Sequence, residues 1–88
     1  MSSAQEFPFG NAASPEAIGR CARARRKAQG ATQAELAALC GVGVRFVSDL
    51  ENGKPTAELA RVLKVLGCLG LEVVIRPRGW GGARDRSQ

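Results

Sequence analysis

Apolar and polar positions alternate with a helical period from residue 14 to about residue 66, and three breaks divide that stretch into four. Ser14-Pro15-Glu16 opens the first element, with Ser as N-cap, Pro at the first helical position and an acid in the first turn. This predicts a helix to about Gln29, closed by Gly30, with Ile18, Cys21, Ala22 and Arg25 or Ala28 facing inward. Thr32-Gln33-Ala34-Glu35 has the spacing of a capping box, so a short second helix runs from Gln33 to about Cys40, with Leu36, Ala37 and Cys40 inward. Gly41 stops it. After the turn Gly41-Val42-Gly43, a third helix from Val44 to about Glu51 buries Val47 and Leu50. Asn52-Gly53-Lys54-Pro55 breaks the pattern again. Thr56 then reads as the cap of a fourth helix, Ala57 to about Leu66, with Leu59, Val62, Leu63 and Leu66 on one face and Gly67 and Gly70 beyond its end. The period changes to that of a strand at Leu71, Glu72, Val73, Val74, Ile75 and Arg76, which lie between Gly70 and Pro77.

The ends differ from this middle. Residues 1–13 are small and polar around Phe7-Pro8-Phe9-Gly10 and read as a flexible N-terminal arm. Residues 77–88 are rich in glycine and arginine and read as a basic flexible tail. One domain, 14–76, fills the space between. Trp80 in that tail is either incidental or an anchor for a partner, a role in which tryptophan is favoured.

At 88 residues, the chain supports a single core that buries about 60% of the unfolded surface. A net charge of +5 favours an acidic partner. The chain contains no histidine, which excludes a histidine general base and every zinc site that needs one. There is no phosphate-binding loop and no recognisable carboxylate pair, so no enzyme, no metal and no cofactor is expected. Cys21, Cys40 and Cys68 are widely spaced and read as small buried hydrophobes of a reduced, cytoplasmic protein associated with the nucleoid. No apolar run has the length of a membrane span, and the first ten residues lack the pattern of a secretory leader.

The two short helices within 32–54 and their glycine-containing turn form a helix-turn-helix pattern. With Val47 and Leu50 held in the core, Val44, Arg45, Ser48 and Asp49 are left on the outer face of the second helix. A helix start that displays such side chains suits the major groove of DNA. Arg20, Arg23, Arg25, Arg26 and Lys27 form a run of cations without an acid, directly ahead of this motif. Phosphate attraction by part of this run is one reading, and a solvated helix face is the other.

Residues 20–66 resemble the Xre (lambdoid Cro/C1-type) helix-turn-helix regulators, through Arg25-Arg26-Lys27, Thr32 to Ala37, Gly41-Val42 and Leu50 to Lys54. Residues 62–78, VLKVLGCLGLEVVIRPR, resemble the C-terminal strand of HipB-like antitoxins, a subset of that family. The resemblance implies a mostly α, four- to five-helix lambda repressor-like domain whose C-terminal strand, 71–76, pairs across a homodimer. It implies base contacts from Val44, Arg45, Ser48 and Asp49. It implies phosphate contacts from Gln33, Asn52 and Lys54, with Arg23 and Lys27 added from the cation run. It also implies a structural ion pair between Arg26 and Glu51. Val44 departs from the pattern, because a glutamine is common there and valine cannot bond adenine in two places. The function implied is that of a repressor on palindromic double-stranded DNA, the autoregulating antitoxin of a HipA-like kinase toxin. The alternative is a stand-alone or phage-type regulator without a toxin.

Overall fold

The computed structural model describes residues 12–78 and contains four helices: α1 (Pro15–Ala28), α2 (Gln33–Cys40), α3 (Val44–Glu51) and α4 (Leu59–Cys68). Most of the arm, and the tail from residue 79 with Trp80, lie outside the described residues.

The first three helices begin where the sequence places them, α1 and α2 at side-chain caps and α3 directly after the glycine turn. The Ser14 hydroxyl accepts from the Ala17 amide at 3.1 Å. The capping box closes in both directions, from the Glu35 amide to the Thr32 hydroxyl at 3.0 Å and from the Thr32 amide to the Glu35 carboxylate at 2.8 Å. Such caps satisfy amides that would otherwise lack a partner and stabilise a helix by about 1 kcal/mol. Gly41 ends α2 at φ +73°, a left-handed conformation in which a side chain would be strained.

The helices enclose a core of Ala22, Leu36, Ala37, Cys40, Val47, Leu50, Val62, Val65, Leu66 and Leu69. α3 packs against both α1 and α2, and α4 packs against α2. The α1–α3 crossing is close because Gly19 has no side chain. A methyl group at Gly19 would stand 2.5 Å from the Leu50 carbonyl oxygen and 2.7 Å from that of Glu51. Backbone atoms cannot swing aside, so Gly19→Ala should destabilise by about 1–3 kcal/mol, although alanine is the better helix former. A melting temperature lowered by several degrees, followed by circular dichroism, is the expected result. An unchanged or raised value would contradict this crossing.

α4 departs from the sequence reading. It starts at Leu59 with Glu58 as N-cap, and Thr56 lies in the preceding turn, where the Ala57 amide reaches the Lys54 carbonyl at 3.4 Å. Its buried stripe is Val62, Val65, Leu66 and Leu69, whereas Leu59 and Leu63 are exposed. Gly67 sits inside the helix, not at its end.

Residues 71–76 form no strand within the single chain, and the described residues contain no β ladder. Leu71 packs against the core, while Val73, Val74 and Ile75 are exposed, Ile75 at 92%. A strand requires a neighbouring backbone, and the other described residues are helices and turns.

Candidate nucleic-acid interface

α3 is amphipathic, and its two faces have different tasks. Val47 and Leu50 are buried and hold the helix against α1 and α2. Val44 and Arg45 stand exposed at its first turn, with Ser48 and Asp49 half-buried one turn later. The Arg45 side chain is 91% exposed. Asp49 lies between two cations, 4.0 Å from Arg45 Nε and 3.5 Å from Lys54 Nζ. These charges offset the repulsion that a lone carboxylate would exert on a phosphate. Asn52 and Lys54 are exposed just beyond the end of α3.

α3 is fixed in place from below by a charged cluster. Arg26 Nε donates to Glu51 Oε2 at 2.6 Å, and a second guanidinium nitrogen donates to Oε1 at 3.0 Å, a two-pronged geometry that sets direction as well as distance. A third Arg26 nitrogen donates to the Ala31 carbonyl at 2.8 Å. The two side chains are only 10% and 3% exposed. Gln33 Nε2 donates to Glu51 Oε1 at 2.9 Å. The half-buried amide expected at phosphate is therefore anchored to the same carboxylate, with one N–H left over. The cluster joins the end of α1, the start of α2 and the end of α3.

Burial alone would push the Glu51 carboxyl up. The bonds from Arg26 and Gln33, together with the charges of Arg26 and Arg23, outweigh burial and hold it below the ordinary carboxylate value. A carboxylate lowered on folding contributes stability above its unfolded pKa of about 4.3, and that contribution disappears as pH falls through the folded value. The difference in unfolding free energy between wild type and Glu51→Gln should therefore shrink as pH is lowered from neutrality into the acid range. Urea melts across that range measure it, and a constant difference would contradict the assignment.

The cation run separates by helical phase. Arg26 is committed inward. Arg25 Nε donates to the Leu69 carbonyl at 2.8 Å, and Gln29 Nε2 reaches the same oxygen at 3.3 Å, so both cap the end of α4. Arg20, Arg23 and Lys27 remain exposed. Sequence reasoning left the inner face open between Arg25 and Ala28, of which Ala28 is exposed, and missed this cap. It also missed the Gln33–Glu51 bond, because neither partner can be inferred from local spacing.

The helix-turn-helix family model HTH_3 matches residues 23–75, more than half of the chain. The chain belongs to the Xre-type helix-turn-helix family. It is 49% identical over 65 residues to the uncharacterised HTH-type transcriptional regulator y4mF of Sinorhizobium fredii, covering 74% of this chain and 86% of that protein. It also resembles solved structures of HipB. One is a HipB variant in complex with an O2 20mer, at 28% identity and TM-score 0.73, over 80% of this chain and 97% of that one. Another is a HipB–O4 20mer complex, at 27% identity and TM-score 0.73, over 80% of this chain and 99% of that one. This chain is thus a HipB-like, DNA-binding transcriptional regulator. No helix among its described residues is long and apolar enough to cross a membrane.

Proposed function

We propose that this helix-turn-helix protein is a dimeric repressor that reads a palindromic operator with the start of α3, and that it is the antitoxin of a HipA-like kinase toxin whose operon it autoregulates. The observation that carries the reading is the exposed first turn of α3 on a scaffold similar to HipB proteins whose structures are complexes with 20mers. Val44, Arg45, Ser48 and Asp49 face base edges, with Arg45 the strongest candidate for guanine. Gln33, Asn52, Lys54, Arg23 and Lys27 take backbone phosphates, fixing register without reading sequence. Two chains paired through residues 71–76 hold two α3 helices about 34 Å apart, one turn of the duplex.

Selection of duplexes from a randomised pool by the full chain tests the DNA reading. Two inverted half-sites about one helical turn apart are the expected product, with affinity that falls steeply with salt. A pool without enrichment, or a single unpaired half-site, would overturn it. Co-expression with the product of an adjacent kinase-like reading frame tests the toxin reading. A stable complex supports it, and a partner-free chain that still selects an operator returns the protein to a stand-alone regulator.

A further inference from the structure

Three consecutive exposed residues, Gly43, Val44 and Arg45, form the start of α3. The next two, Phe46 and Val47, pack inward, so the helix is anchored without its first two side chains. Val44 is 47% exposed. The space before it is open, since a Cβ built on Gly43 would meet no atom within 4 Å. This turn also lacks the stabilising features of α1 and α2. Those helices open on a hydroxyl cap with an acid in the first turn, whereas Gly43 supplies no side-chain cap and α3 has no acid in its first turn. Arg45 instead places a cation near the positive end of the helix dipole, and valine is a weaker helix former than alanine. Side chains that run against local stability in this way are expected where a ligand uses them.

We propose that Val44 determines specificity by packing on the C5-methyl group of a thymine, close to the guanine read by Arg45, in each operator half-site. This deepens the operator reading above and rests on it.

The chemistry of the major groove selects the partner. Among the edges that base pairs present there, the thymine methyl is the apolar group. The valine side chain has neither donor nor acceptor. Set against an adenine or cytosine amino group, or against guanine O6 and N7, it would displace water from a polar atom and return no bond. Against a methyl group it removes apolar surface from water on both sides. The register follows from Arg45. Asp49 stands 4.0 Å from Arg45 Nε, and no other side chain among the described residues pairs with the guanidinium, so its two terminal nitrogens are open to guanine O6 and N7. Successive Cα atoms lie about 3.8 Å apart, close to the rise of about 3.4 Å per base pair, so the thymine falls within about two base pairs of that guanine.

The experiment uses the full chain and the duplex that it selects from a randomised pool. Each half-site should carry a thymine within about two base pairs of the guanine whose selection Arg45→Ala abolishes. Deoxyuridine in place of that thymidine removes the methyl and leaves every donor and acceptor of the base edge unchanged. Wild-type affinity should then fall about fourfold per half-site, the effect of one buried carbon. The same exchange at thymines outside the half-sites should change it little. Val44→Ala should lose a similar factor on the thymine duplex, keep its affinity for a scrambled duplex, and be insensitive to deoxyuridine. Its circular dichroism should match wild type, because Val44 is exposed and alanine favours a helix. A half-site without such a thymine, deoxyuridine tolerated by the wild type, or a deoxyuridine penalty undiminished in Val44→Ala would overturn the proposal while leaving the selected operator in place. A pool without enrichment would overturn the operator reading, and this inference with it.

Discussion

Glu51→Gln is expected to remove about 3–5 kcal/mol of folding stability, because it leaves the Arg26 charge buried without its counter-charge. Arg26→Met should have a comparable effect, stranding Glu51 with the Gln33 amide as its remaining side-chain donor. A loss of that size is a large part of the 5–15 kcal/mol that holds a typical domain folded. The expectation depends on burial. An exposed pair is worth less than about 1 kcal/mol, but these side chains are 10% and 3% exposed and meet through two bonds. Replacing both residues at once, as Arg26→Met with Glu51→Leu, should recover much of the loss, since no charge is then left unpaired. Urea denaturation of the three variants measures this directly. Single-mutant losses below about 0.5 kcal/mol would reduce the cluster to a surface feature.

Removing residues 71–88 is expected to convert a dimer into a monomer and to weaken operator binding by about 100-fold or more, the avidity of two linked half-sites. The segment has the chemistry of an edge awaiting a partner. In the single chain Val73 is 55%, Val74 60% and Ile75 92% exposed, and Leu71 alone packs inward. An unpaired apolar edge of this kind pairs readily with another backbone, most simply the same segment of a second chain about a two-fold axis. In that arrangement Leu71, Val73 and Ile75 face the helices, and Glu72 approaches the partner's Arg76. Val73→Asp puts a carboxylate into the seam and should have the same effect as the deletion. Light scattering at micromolar concentration separates the outcomes. A monomeric wild type, or a dimer that survives the deletion, would contradict pairing through this segment.

The first three helices were legible because their boundaries are local chemistry. Ser14-Pro15, the Thr32–Glu35 box and Gly41 act within four residues of themselves. α4 was less legible. Leu59, Val62, Leu63 and Leu66 have the same spacing as the observed Val62, Val65, Leu66 and Leu69, so periodicity alone cannot choose between them. The choice is made by packing against α2 and by the Arg25 cap at Leu69, 44 residues away in sequence. The Arg26–Glu51 pairing came from family resemblance, and its third member, Gln33, required coordinates. The strand at 71–76 has the right residues and no partner within its own chain.

The central claim is that the first turn of α3 reads DNA sequence, and Arg45→Ala tests it most directly. The arginine is exposed, so its removal should leave the fold intact. Affinities of wild type and variant are compared on the selected operator and on a scrambled duplex, at one salt concentration. The predicted result is a loss of about 1–3 kcal/mol on the operator, with little change on the scrambled duplex. Equal losses on both would contradict it, because they would make Arg45 a phosphate contact and move base reading away from the start of α3.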